Sequence, residues 1–247
     1  MRKESLGKLV FLLIIIAISL LLCWVCCRKP TATAKTLSPL PLNPTEKEDL
    51  PFFDEHGNII DHENVEIMEQ LIAKEFIPAD ACVLELGGRY GTVSCAISRT
   101  INDSRNLVVI EPDVKVLQAL QRNRDSRGFK FHIVHGTVSK EPMKIEQNAG
   151  YATTFSKTNN STLPNYSYQD LQKKFNIIFD TLVVDCEGCF EQFLVDNKGI
   201  LENIKLVTFE TDMPHRCNYD AVRKMIIDSG FKILFNSGMH EVWKKLE

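Results

Sequence analysis

Residues 83–94 have the sequence VLELGGRYGTVS, in which an apolar run leads into three glycines within five positions. Glycine lacks a Cβ atom, so such a loop can turn sharply and let another group lie against its backbone. The apolar run predicts a buried strand, and residues 92–100 predict a helix. Ligands of open α/β sheets bind where strands end and helices begin. The stretch therefore predicts an α/β fold in which the glycine loop holds a ligand.

The rest of the chain repeats this alternation from about residue 60 onward. Short apolar runs predict strands at residues 82–86, 107–110, 129–134, 181–184, 206–209, 231–235 and 239–244. Helices are predicted at residues 63–76, 92–100, 113–124, 168–175, 189–196 and 219–229. This alternation predicts a doubly wound, mostly parallel seven-stranded sheet, with the last two strands as an antiparallel hairpin at one edge. Residues 147–165 have no apolar period and predict an excursion or mobile loop.

The first 58 residues differ from the rest. Residues 9–27 carry no charge and lie between basic residues, so they predict a single transmembrane helix within an anchor of residues 1–29. A cleaved signal peptide is the alternative, but the apolar run is too long and the cleavage site is poor. Residues 30–58 contain five prolines and predict a stiff stalk. The folded domain is then expected at residues 59–247 of a single-pass membrane protein, on a side of the membrane that the flanking charges do not decide.

Charge and cysteine content exclude some partners. The net charge is −3 and no Lys/Arg cluster alternates with aromatic residues, so nucleic acid is not an expected partner.

Cys186 and Cys189 have the spacing of a redox pair or of half a zinc site, and without a second pair we expect no zinc there. The eight cysteines do not have the spacing of a disulfide-stapled scaffold. Three cysteines lie at the end of the predicted membrane segment, where either S-acylation or apolar packing is expected: Cys23, Cys26 and Cys27. N-glycosylation would be permitted, if the domain were luminal, at Asn102, Asn159, Asn160 and Asn165.

The residues around the glycine loop discriminate between two cofactors, NAD(P) and S-adenosylmethionine. A dinucleotide fingerprint would need glycine where Leu86 stands, which counts against NAD. Glu85 is awkward beside a pyrophosphate but suits the ammonium group of a methionine moiety. Glu111 ends the second predicted strand, where a carboxylate can accept both hydroxyls of an adenosine ribose. The pattern favours S-adenosylmethionine.

Four stretches resemble the FkbM-type methyltransferases, a class I S-adenosylmethionine-dependent family: ELGGRYGTVS, VVIEPD, HGTVS and LVVDCEGCFEQFL. The family pattern Asp-x-Glu-Gly after the fourth strand is matched by residues 185–188. The similarity extends from about residue 62 to the end and implies a Rossmann-like class I methyltransferase fold with S-adenosylmethionine as cofactor. Members usually O-methylate sugars and other natural-product hydroxyls.

The resemblance also implies roles for individual residues. The methionine part of the cofactor would contact Glu85, Gly87 and Gly91, and Gly88 of the same loop is a further candidate cofactor-binding residue. Glu111 would bind the ribose, and the adenine would lie near residues 135–137, against Gly136 and Thr137. Asp185 and Glu187 would lie by the transferred methyl group. One departure is that Gly88 and Arg89 replace the family's Ala-Asn, which leaves the contacts of side chain 89 open.

A hydroxyl acceptor is a weak nucleophile, so a nearby base helps methyl transfer. Asp185 and Glu187 follow a strand end two residues apart and are the expected catalytic groups, although one of them could instead cap the helix that follows. His215 is a further candidate base, and His240 a weaker one. We expect no metal, although Glu210 and Asp212 could hold a divalent ion with Asp185, as in some catechol-type O-methyltransferases.

The sequence therefore predicts a membrane-tethered O-methyltransferase that acts on a hydroxyl of a sugar or glycan, or of a lipid headgroup. The Asn/Asp-Pro-Pro-aromatic signature is absent from the fourth strand, which disfavours DNA and protein-glutamine substrates. Two alternatives stay open. One is a non-catalytic, membrane-anchored binding or scaffold domain that keeps the fold, and the other is an NAD-dependent oxidoreductase.

Overall fold

The structure, a computed structural model, describes residues 50–149 and 152–246. The predicted anchor with its transmembrane helix at residues 9–27, and the stalk as far as residue 49, lie outside the described residues and stay predictions. Within the described ranges, no helix combines the length and the apolar composition needed to cross a bilayer.

The described residues form thirteen strands and six α-helices. The strands are β1 (Phe52–Phe53), β2 (Ile59–Ile60), β3 (Val83–Leu86), β4 (Leu107–Glu111), β5 (His132–His135), β6 (Thr137–Val138), β7 (Met143–Ala149), β8 (Ala152–Lys157), β9 (Asn165–Tyr166), β10 (Thr181–Val184), β11 (Leu206–Glu210), β12 (Phe231–Asn236) and β13 (His240–Lys245). The helices are α1 (Ile67–Phe76), α2 (Thr92–Thr100), α3 (Leu117–Ser126), α4 (Tyr168–Phe175), α5 (Phe190–Asp196) and α6 (Tyr219–Asp228).

Seven of these strands form one sheet in the order β12-β13-β11-β10-β3-β4-β5. The five strands from β11 to β5 run parallel, and β13 pairs antiparallel with both β11 and β12. This confirms the predicted Rossmann-like α/β fold, with its mostly parallel seven-stranded sheet and its edge hairpin. The glycine loop follows β3, between β10 and β4, so the ends of all three strands lie at one edge of the sheet.

Both faces of the sheet are covered, which is why the core strands are apolar at consecutive positions. Leu84 and Leu86 of β3 belong to a core cluster that includes residues of α4, α5 and α6. Val83 belongs to the cluster on the other face, with residues of α1, α2 and α3. The two clusters fix β3 and with it the position of the glycine loop.

Of the two alternatives predicted for residues 147–165, an excursion or a mobile loop, the first part is an excursion from the main sheet and contains a strand. Strands β7 and β8 form an antiparallel pair that starts with Met143 opposite Lys157. Thr153 and Thr154 of β8 are buried, and β-branched side chains suit strands. The sequence pattern does not reveal this strand, because its buried positions hold polar threonines in place of apolar residues.

The predicted boundary at residue 59 is too late, because part of the expected stalk is folded against the domain. Phe52 of β1 is 1% exposed and belongs to the core cluster of α1 and α2. The backbone N–H of Phe53 donates to Asn123 Oδ1 at 3.1 Å, and Asn123 Nδ2 donates to the Phe53 carbonyl at 2.9 Å. The folded part therefore includes residue 52.

Two helices begin four residues later than predicted. Glu66, just before α1, has a positive φ of 52°, so the helical conformation starts only after it. Before α3, the Asp113 carboxylate accepts the backbone N–H of Lys115 at 3.0 Å in a local turn. Such side-chain hydrogen bonds to the nearby backbone compete with helix formation.

Candidate functional site

A pocket of about 410 Å³ lies at the carboxyl ends of β3, β4 and β10. Its size falls within the roughly 300–1,000 Å³ of small-molecule sites. Seven of the predicted site residues line this large pocket: Gly87, Glu111, Gly136, Thr137, Asp185, Glu187 and His215. Glu111 ends β4 and Asp185 follows β10, on opposite sides of β3, so two strand spacings, about 10 Å, separate their backbones. The pocket is therefore long enough to hold a ligand between them.

The three loop glycines are required first by packing within the protein. Gly87 has a φ of 98°, and a Cβ atom on it would lie 1.7 Å from the carbonyl oxygen of Asp185. A Cβ atom on Gly88 would lie 2.3 Å from Val109 Cγ1, and one on Gly91 2.7 Å from a methyl group of Leu120. The glycines thus let the loop approach its neighbours, and of the three only Gly87 also lines the large pocket.

Glu111 holds the glycine loop in place through its side chain. Its Oε2 accepts the backbone N–H groups of Arg89 at 2.7 Å and of Gly88 at 3.2 Å, and its Oε1 accepts that of Asp113 at 2.7 Å. Burial raises the pKa of Glu111, while these three N–H donors work in the opposite direction. A carboxylate has about four acceptor positions, so three donors leave room for one more hydrogen bond. Glu111 lines the pocket and could therefore accept a hydroxyl of a bound ribose.

Arg89, whose contacts the resemblance left open, lies in the wall of the large pocket. Its side chain is 10% exposed and its Nη1 lies 3.4 Å from Asp113 Oδ2. The same atom lies 3.4 Å from Thr153 Oγ1 of β8, and the guanidinium carbon lies 4.9 Å from the centre of the Tyr90 ring. The arginine connects the glycine loop to the β7–β8 hairpin, which lines one side of the pocket with Thr153 and Phe155.

Asp185 and Glu187 bring two carboxyl groups to the other end of the large pocket. Burial raises the pKa of Asp185 well above its usual range, and the neighbouring carboxylates, Glu66 foremost, add to this. Burial also raises the pKa of Glu187 to about 8, together with the nearby Asp212. Glu187 has a positive φ of 53°, and its buried Oε2 has no hydrogen-bond donor among the described residues. A carboxyl group with such a pKa exchanges a proton near neutral pH, as a general base must.

A disulfide joins Cys186 and Cys189, so the C-E-G-C stretch is neither a thiol pair nor half a zinc site in this structure. The bond encloses Glu187 and Gly188 in a short loop just before α5. Cys82 and Cys217, which also lie within the described ranges, are free cysteines. The disulfide restrains the backbone that carries Glu187 in the pocket.

The structure does not bring every predicted residue to the large pocket. Glu85 is 1% exposed and lines, with Gly88, a smaller cavity of about 20 Å³ behind the loop. Gly91 packs against Leu120. His215 lies at the pocket but is exposed, in the segment between β11 and α6.

Glu66 and Glu69 were not among the predicted site residues, because they come from an element far away in the sequence. Glu66 lines both cavities, and Glu69, one helical turn later in α1, lines the smaller one. Both residues lie in the helix predicted at residues 63–76, where a spacing of three places two side chains on one face, and this was the available signal. His240 Nε2 lies 2.7 Å from Glu69 Oε1 and 3.5 Å from Glu210 Oε1, so Glu210 meets these two residues across the sheet edge.

No protein-family model and no curated protein matches the chain. Among solved structures, it is similar to a protein of the NADB-Rossmann superfamily from Streptococcus agalactiae, with 13% identity, a TM-score of 0.47, and coverage of 72% of this chain and 69% of the other. A putative O-methyltransferase from Klebsiella pneumoniae has 11% identity, a TM-score of 0.45, and coverage of 76% and 84%. A SAH-bound methyltransferase from Podospora anserina has 11% identity, a TM-score of 0.45, and coverage of 73% and 77%. The function of this chain therefore has to be inferred from its own site.

Proposed function

We propose that the chain is an S-adenosylmethionine-dependent O-methyltransferase of the FkbM type, tethered to a membrane by residues 9–27. The observation that carries the proposal is the arrangement of the large pocket. One pocket contains a ribose-binding candidate, Glu111, on one side of the glycine loop and two carboxyl groups of raised pKa, on Asp185 and Glu187, on the other. A donor with a nucleoside at one end and a reactive centre near the other suits this spacing.

The described residues fit such a donor. Glu111 has one acceptor position left for a ribose hydroxyl, and Gly136 and Thr137 line the pocket beside it. Gly87 follows β3, between the strands that carry Glu111 and Asp185, and lines the same pocket. S-Adenosylmethionine, when bound, supplies a methyl group activated by a sulfonium.

The chain's own contribution to the reaction is to position the acceptor and to remove its proton. Glu187 has a buried oxygen without a hydrogen-bond donor among the described residues, so an acceptor hydroxyl could donate to it. Its raised pKa makes it a stronger base than an exposed carboxylate. Asp185 lies two residues away and can orient the same hydroxyl. We propose a sugar or glycan hydroxyl as acceptor, and a lipid headgroup hydroxyl as the next candidate because of the anchor.

The test is methyl transfer by the full-length chain in membranes, with S-adenosylmethionine labelled in its methyl group and with glycan and lipid extracts as acceptors. We expect label in one hydroxyl-bearing fraction, identified by mass spectrometry, and none with the Asp185→Asn variant. Binding of the cofactor without transfer to either extract would support the scaffold alternative and contradict the proposed reaction.

A further inference from the structure

Three potential metal ligands meet beside the large pocket, at the edge formed by α1, β11 and β13. One donor atom from each of Glu69, Glu210 and His240 lies within 4.8 Å of the other two. Each of these side chains is at most 16% exposed. Because the residues come from three separate elements, the tertiary structure alone brings them together.

The three side chains are close enough to share one ion after a small adjustment. His240 Nε2 lies 2.7 Å from Glu69 Oε1 and 3.5 Å from Glu210 Oε1. Donors that each lie about 2.1 Å from one metal ion are roughly 3–4 Å apart, so the His240–Glu210 distance already fits. The His240–Glu69 distance is that of a hydrogen bond, which an ion between the two side chains would replace. The His240 ring is also oriented from its other side, because Nδ1 lies 3.2 Å from Ser237 Oγ. Metal-bound histidines commonly donate their second N–H in this way.

A separate observation points to a cation site in the same cavity. Glu85 is 1% exposed and lines the smaller cavity together with Glu69, Glu210 and His240. Its Oε2 is buried and has no hydrogen-bond partner among the described residues. A buried carboxyl oxygen without a partner is costly, and a positive charge in the cavity would stabilise its ionised form.

The charges around the smaller cavity also favour a bound cation. Five carboxyl groups line it: Glu66, Glu69, Glu85, Asp185 and Glu210. Among the described residues that line it, none is Lys or Arg, and His240 is the only basic one. The cavity, of about 20 Å³, is large enough for one small ion or water.

We propose that Glu69, Glu210 and His240 bind one divalent transition-metal ion of the Mn²⁺ or Zn²⁺ kind. A histidine nitrogen among the ligands favours such an ion over Mg²⁺ or Ca²⁺, which take mostly oxygen. The ion joins α1 to the edge hairpin and offsets the negative charge behind the glycine loop. The three proposed ligands line the smaller cavity and not the proposed cofactor pocket, and metal binding does not depend on methyl transfer.

The test uses the full-length chain, stripped with a chelator and titrated with Mn²⁺ while the free ion is followed by electron paramagnetic resonance. We expect one Mn²⁺ per chain, displaced by equimolar Zn²⁺ but not by equimolar Mg²⁺. Glu69→Gln and His240→Asn should each weaken binding at least about tenfold, the size of effect for loss of a ligand contact worth 1.4 kcal/mol or more. The exposed variants Glu202→Gln and His56→Asn are matched controls and should bind like the wild type.

Absence of Mn²⁺ and Zn²⁺ binding at submillimolar concentration would overturn the proposal, as would wild-type binding by both ligand variants. Equal competition by Mg²⁺ would overturn the choice of ion class. Circular dichroism of each variant separates loss of the site from loss of the fold. No methyl donor is present, so these outcomes are independent of whether the chain is a methyltransferase.

Discussion

The Glu111 carboxylate accepts the backbone N–H of Arg89 at 2.7 Å, and this bond ties the end of β4 to the glycine loop after β3. The same carboxylate lines the large pocket. Glu111 therefore has two tasks, to shape the loop and to offer an acceptor to a ligand. The loop and the proposed ribose contact depend on one another.

Replacement of Glu111 tests the ribose contact. Glu111→Ala removes a charged acceptor, so we expect the affinity for S-adenosylmethionine to fall by roughly 1.5–3 kcal/mol, measured by calorimetry. The melting temperature should fall as well, because Gly88 and Arg89 lose a hydrogen-bond acceptor. The exposed Glu202→Gln variant is the control. Unchanged affinity in a folded Glu111→Ala protein would show that Glu111 does not contact the ribose.

Replacement of the two pocket carboxyl groups tests the chemistry. Asp185→Asn and Glu187→Gln keep the size of each side chain but remove its basicity. We expect turnover to fall about 10²-fold or more, with cofactor affinity nearly unchanged. Rates with the identified acceptor, and calorimetry with the cofactor, measure the two effects separately. Full activity of both variants would show that the base lies elsewhere, and His215 would be the next residue to replace.

The packing of the glycine loop predicts a difference between two Gly→Ala substitutions. Gly87 and Gly238 have almost the same φ, 98° and 97°, so alanine is strained at both, by roughly 1–2 kcal/mol. Only at Gly87 would the new Cβ meet an atom, the carbonyl oxygen of Asp185, whereas nothing lies within 4 Å at Gly238. Gly87→Ala should therefore cost a further 1–3 kcal/mol or more in the free energy of unfolding. Equal losses of unfolding free energy in Gly87→Ala and Gly238→Ala, measured by urea denaturation, would contradict the close contact between Gly87 and the Asp185 carbonyl.

Burial of Glu85 predicts how stability depends on pH. Burial raises its pKa from 4.5 to about 8, so the folded state holds this proton more tightly than the unfolded state. Its contribution to stability is present below pH 4.5 and is lost as pH rises towards 8, by up to about 1.4 kcal/mol per pH unit. Glu85→Gln should flatten this decline in denaturation experiments with a chelator present. A variant whose stability declines as steeply as that of the wild type would show that Glu85 ionises normally.

The sequence predicted the fold and one side of the site well because both depend on local patterns. The seven strands of the sheet were predicted from short apolar runs. The strand–loop–helix junction at residues 83–94 was predicted from an apolar run followed by three glycines. Glu111 ends one such strand and Asp185 directly follows another. Parallel strands end at one edge of the sheet, so the sequence also placed these carboxylates near one another.

The remaining features depend on contacts that no local pattern encodes. Glu69, Glu210 and His240 are far apart in the chain and meet only because α1 packs beside the edge hairpin. Strand β8 escaped prediction because threonines, not apolar residues, occupy its buried positions. The sequence explains the three loop glycines by a bound ligand. The structure shows that they also leave room for the carbonyl of Asp185 and for the side chains of Val109 and Leu120.

The most direct test of the central claim is calorimetric titration of the purified full-length chain with S-adenosylmethionine and, separately, with NAD. The site predicts saturable binding of one S-adenosylmethionine per chain and no binding of NAD, since Leu86 stands where a dinucleotide loop has glycine. Binding of NAD together with failure to bind S-adenosylmethionine would contradict the account and turn the large pocket into a dinucleotide site.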